Sequence, residues 1–228
     1  MALLLFFLVL ILGLSFLPQL WVKRVIARNS HERQDINGTG AEFAHFLLSG
    51  LKLDEVSVEE TDLGDHYDPD AKAVRLSPPH YRKRSLAAIV IAAHEVGHAM
   101  QDATDYAPLK ARTQLAQQAN KVQTVGFALM LAAPVLVLLL KSPALMLVEV
   151  AAGVLLMSVT VLMHVYTLPV EFDASFKRAL PILEAGKFIP EKDLPEAREL
   201  LRAAAFTYVA SAAISMLDVM RWLRVLRF

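Results

Sequence analysis

The chain has 228 residues, enough for one soluble domain with several hydrophobic helices but not for two large soluble domains. Basic and acidic side chains balance at 23 each, which excludes the one-sided basic face of a nucleic-acid binder. There is no cysteine, so disulfides and thiolate metal sites are excluded and any metal must be held by His, Asp or Glu.

Hydrophobic residues make up 55% of the chain and fall in blocks, the pattern of a mainly α membrane protein with three to four hydrophobic helices. Residues 1–22 carry no charge and read as a transmembrane anchor. No Lys or Arg precedes this run and no small-residue cleavage site follows it, so a removed signal peptide is the weaker reading. Trp21 then marks the lipid interface, with Lys23 and Arg24 just beyond.

Residues 23–121 have the composition of a small α+β domain. Thr39 or Gly40 caps a helix over 41–48 that Gly50 closes. Val56, Val58 and Glu60 alternate with polar neighbours as a short strand does, and Ala73–Leu76 reads as another, ended by Pro78 and Pro79. Ser85 is placed to cap a helix running through Gln101.

That helix carries His94-Glu95-Val96-Gly97-His98. Positions i and i+4 share a helical face, so both imidazoles can reach one zinc ion, while Glu95 serves as general base toward the attacking water. The residues around them, from Ile89 to Ala99, are small or apolar, which makes this a buried helix whose polar groups need partners.

Two further uncharged runs, 122–140 and 150–170, are long enough to span a bilayer and read as a transmembrane hairpin over 122–170. The hairpin returns the chain to the side it left, which makes Glu171 the leading third ligand. Asp102 competes as a ligand or as a partner orienting His98, and Asp173 is a weaker candidate. Thr104 stands where a metzincin needs its third histidine, so that class is excluded. His164, inside the hydrophobic run, is a candidate for stabilising the oxyanion.

Residues 171–202 are a cytoplasmic segment, and 203–228 a last hydrophobic helix whose 203–217 run covers only about 23 Å. Lys and Arg concentrate in 23–121 and 177–202, which places the active site on the cytoplasmic side of a bacterial cell membrane.

The strings Asp65-His66-Tyr67-Asp68-Pro69, Val74-Arg75-Leu76-Ser77, Ala92 through Asp102 and Leu168 through Ser175 resemble the YugP-type membrane zinc metallopeptidases. These are similar in plan to the HtpX and CAAX-prenyl-protease clan of gluzincins. The resemblance covers nearly the whole chain and implies a zincin-like domain that hydrolyses a protein or peptide substrate at the membrane. It implies Glu171 as third zinc ligand and Ala73–Leu76 as an edge strand that pairs with extended substrate. The clan places an Asp four residues after that Glu; this chain has Ser175, and Asp173 is the substitute. The alternative functions are a catalytically silent zinc-binding scaffold and, last, a metal transporter. Glu95 argues against the first, since a purely structural metal needs no general base.

Overall fold

The computed structural model describes residues 17–119 and 143–206. In chain order these are α1 (17–28), α2 (Gly40–Gly50), β1 (Ser57–Glu60), β2 (His66–Asp68), β3 (Ala73–Leu76), α3 (Pro78–Arg82), α4 (Leu86–Ala103), α5 (107–119) and α6 (Pro143–Phe172). A π-helical turn (Asp173–Ala179), α7 (Leu180–Gly186), a 3₁₀ turn (Glu191–Asp193) and α8 (194–206) follow. Two compact units share these elements: Leu17–Lys110 with the chain from Leu168 through α8, and, among the described residues, 111–119 with 143–167.

In the first unit α4 is the central element. Ser85 accepts a hydrogen bond from Ala88 N and starts the helix, and nearly every residue from Leu86 to Ala99 is buried. A helix apolar on all sides is stable only when covered all round. Here α2, the sheet, α3 and the π turn cover it. At the start of α2, Thr39 and Glu42 form a capping box. Gly40 is obligatory there, because a Cβ would stand 2.1 Å from the His80 carbonyl oxygen.

The sheet runs β1-β3-β2, with β1 parallel and β2 antiparallel to β3. Ala73–Leu76 is therefore the centre of the sheet and not its edge. Strand order is set by pairing between distant segments, and His66–Asp68 forms the second edge. Asp65 ties this edge to α3: its carboxylate accepts from Ser77 N at 2.8 Å and from His80 Nδ1 at 2.7 Å.

Burial alone would raise the Asp65 pKa, but His80 and Ser77 outweigh it and hold the carboxyl below its usual range. A depressed folded-state pKa contributes stability above the unfolded value, about 3.9, that is lost as pH falls through the folded one. Asp65→Asn is expected to cost about 1–3 kcal/mol at pH 7. In urea titrations its deficit against wild type shrinks at pH 3.

Among the described residues no helix is long and apolar enough to cross a membrane. This corrects the expectation of three to four hydrophobic spanning helices. The expected spans 1–22, 122–140 and 203–217 lie wholly or largely outside the described residues. The run 150–170 is no separate span but the interior of the 30-residue α6, whose last turns bury the polar Thr167 and Glu171. Lack of charge fixes the composition of a run, not the medium that covers it.

Candidate metal centre

His94 and His98 project from one face of α4, their ring centroids 4.8 Å apart and both side chains buried. Across from them stands Glu171, one residue before the end of α6 and 2% exposed. Its Oε2 is 3.2 Å from His94 Nε2 and 3.5 Å from His98 Nε2. The approach of the two helical segments depends on Gly97, between the histidines on the helix. A Cβ at this position would lie 2.8 Å from the Ala174 carbonyl oxygen.

One ligand atom from each of His94, His98 and Glu171 lies within 4.8 Å of the others. Four-coordinate zinc holds nitrogen and oxygen at about 2.0–2.1 Å, which separates its ligand atoms by about 3.3 Å. The spacings of 3.2 and 3.5 Å match that demand. Among the described residues Glu171 Oε1 is buried without a hydrogen-bond partner, a costly state for a carboxylate oxygen unless a cation sits beside it. Two imidazoles and one carboxylate form a three-ligand set of the kind that leaves zinc an open position for water. The residues fit the ion.

Burial pushes the Glu171 pKa up, but the neighbouring His98 and His94 overcome this and hold the carboxyl well below its usual range. A lowered pKa is the direction that a metal-binding carboxylate requires. Glu95 is buried on α4 beside His94.

The hydrogen-bond partners of these side chains differ from those read in the sequence. Asp102 lies outside the three-residue cluster: its Oδ2 accepts from Tyr67 OH at 2.7 Å and from Lys72 Nζ. It therefore anchors α4 to the sheet. Burial and the adjacent Asp102 carboxylate push the Tyr67 phenol pKa up. Asp173 also lies outside the cluster, accepting from Gln101 Nε2 at 2.9 Å and Arg178 Nε at 2.8 Å. His98 Nδ1 instead meets Gln101 Oε1 at 2.9 Å, and His94 Nδ1 meets Ser175 Oγ at 3.1 Å. Gln101 was missed, although an amide three residues past His98 on an apolar helix was a usable signal. His164 is half-buried in the part of α6 that belongs to the other unit.

The family described as "Putative neutral zinc metallopeptidase" matches residues 4–227. The chain is 38% identical over 216 residues to "Putative membrane protease YugP" of Bacillus subtilis (strain 168), covering 94% of this chain and 92% of that protein. No solved structure matches.

Proposed function

The chain belongs to the family described as "Putative neutral zinc metallopeptidase", and from that premise we propose that it is a zinc-dependent endopeptidase acting on membrane-associated or misfolded proteins. The observation that carries this reading is the convergence of His94, His98 and Glu171, with the second carboxylate oxygen of Glu171, Oε1, buried and without a hydrogen-bond partner among the described residues. These three residues would hold the zinc. Bound there, it supplies Lewis-acid activation of water and of the scissile carbonyl.

Glu95, next to the first ligand, takes the proton of the attacking water and returns it to the leaving amine. Its apolar surroundings on α4 exclude bulk water and strengthen that role. Two histidines from one helix and a glutamate from a later one form the gluzincin pattern, and we place the chain in that clan.

The sequence division 1–22, 23–121, 122–170, 171–202 and 203–228 stays part of the proposal, with 23–121 and 171–202 forming the catalytic part. A bacterial cell-membrane location is proposed on the relative's printed name. The cytoplasmic side is proposed on the Lys and Arg content of these two segments.

The test is zinc analysis of the purified chain together with cleavage of an unfolded protein substrate. About one zinc per chain is expected, with cleavage lost on chelation and restored by added zinc. Cleavage indifferent to chelation, or a preparation that takes up no zinc, overturns the reading.

A further inference from the structure

The amide of Gln101 has only one orientation that satisfies its neighbours. One end of it is 2.9 Å from the Val170 carbonyl and 2.9 Å from Asp173 Oδ1, the oxygen that also accepts from Arg178. Neither a carbonyl nor a carboxylate can donate, so that end is the NH₂ group. The other end, Oε1, faces His98 Nδ1 at 2.9 Å. A carbonyl oxygen only accepts, so Nδ1 of His98 carries the hydrogen. In a neutral imidazole the lone pair is then on Nε2, the nitrogen 3.5 Å from Glu171.

The same logic holds at His94 with a hydroxyl. Ser175 Oγ donates its one hydrogen to the Leu201 carbonyl at 3.3 Å, leaving a lone pair to accept from His94 Nδ1–H at 3.1 Å. His94 Nε2 is thereby turned to Glu171 at 3.2 Å. Both oxygen acceptors are themselves held. Gln101 is fully buried between α4 and the end of α6, and Ser175 is fully buried in the π turn. Val170 O, in the last turn of α6 just ahead of the π turn, accepts from Gln101 Nε2.

We infer that Gln101 and Ser175 are positioning residues that fix both imidazoles as Nδ1–H tautomers and aim both Nε2 lone pairs at the metal. This rests on the zinc reading above and adds to it which nitrogens face the ion and what charge the site carries. Both partners are neutral. The ligand set therefore brings one negative charge, that of Glu171, and the ion keeps net positive charge. Asp173 is linked to His98 through Gln101, so its charge stays one residue removed from the imidazole.

Two measurements on the full-length chain test this. The first is zinc affinity by competition with a chromophoric chelator, comparing wild type with Gln101→Leu and Ser175→Ala. Loss of a partner of a metal-bound imidazole is expected to weaken zinc about 10–100-fold. Affinities within twofold of wild type, in variants whose zinc-free unfolding matches it, overturn the inference.

The second uses wild type only and so does not depend on the variants folding. In long-range proton–nitrogen spectra of the zinc-loaded chain labelled at histidine, His94 and His98 are expected to show protonated Nδ1 and metal-bound Nε2. Metal-bound Nδ1 at either histidine overturns it. A wild type that takes up no zinc sinks the proposed function itself, whereas zinc bound through the opposite nitrogen sinks this inference alone.

Discussion

Purified Glu95→Gln protein is expected to hold as much zinc as wild type and to cleave an unfolded substrate about 10²–10⁴ times more slowly. That loss corresponds to about 2.7–5.4 kcal/mol of barrier, at 1.36 kcal/mol per decade. Gln has nearly the shape of Glu, so the packing of α4 should survive. Glu95 supplies no atom to the three-residue cluster, so the ligand geometry is left as it stands. What disappears is the basic carboxylate. The result separates three readings. Zinc kept with activity lost assigns Glu95 to proton transfer, and zinc lost with activity makes it part of what holds the ion. Full activity in the variant removes the mechanism. Glu171→Ala is the companion measurement: it deletes a ligand, so zinc and activity are expected to fall together.

What was legible in the sequence was local. The Ser85 cap, the Thr39 cap with Glu42 three residues on, and the strands at 57–60 and 73–76 are each written in a few consecutive residues. The i, i+4 histidines need only a helix to share a face. Relations between distant segments were not legible in the same way. Strand order placed β3 in the centre, and nothing within Ala73–Leu76 announces its two neighbours.

A hairpin of two spans is one route from the sequence to Glu171, yet 122–140 lies outside the described residues and α6 is not long and apolar enough to cross a membrane. The geometry that brings it to the histidines is instead the packing of the π turn on α4. Ser175 looked like a missing carboxylate, because the sequence shows the residue type and not the hydroxyl's second partner, Leu201 O. The π turn itself was unread. Pro169 and Pro181, which remove two backbone donors on either side of it, were the available sign.

Gly97→Ala gives the sharpest test of how the site is held, because two effects of known size oppose each other. Helix propensity favours alanine over glycine by about 1 kcal/mol in a helix interior. Packing opposes it. The new Cβ would lie 2.8 Å from the Ala174 carbonyl oxygen and 3.4 Å from the carbon atoms behind it. Those atoms are backbone in a turn packed against α4, so they cannot swing aside as a flexible side chain would. Overpacking of this kind costs about 1–3 kcal/mol, so packing should win and the variant should melt lower than wild type.

The effect on zinc should be larger than the effect on stability. Relief of the clash requires the π turn to recede by about half an ångström, and Glu171 lies three residues before Ala174. A metal site tolerates only about 0.2 Å in its ligand distances, so the Glu171 carboxylate would leave a spacing now at 3.2 and 3.5 Å. Chelator competition is expected to show zinc weakened at least tenfold in Gly97→Ala, with the histidines and the glutamate all present. An alanine variant that melts higher and binds zinc as wild type does would mean that propensity wins. The close contact between α4 and the turn would then not be what sets the distance from the histidines to Glu171.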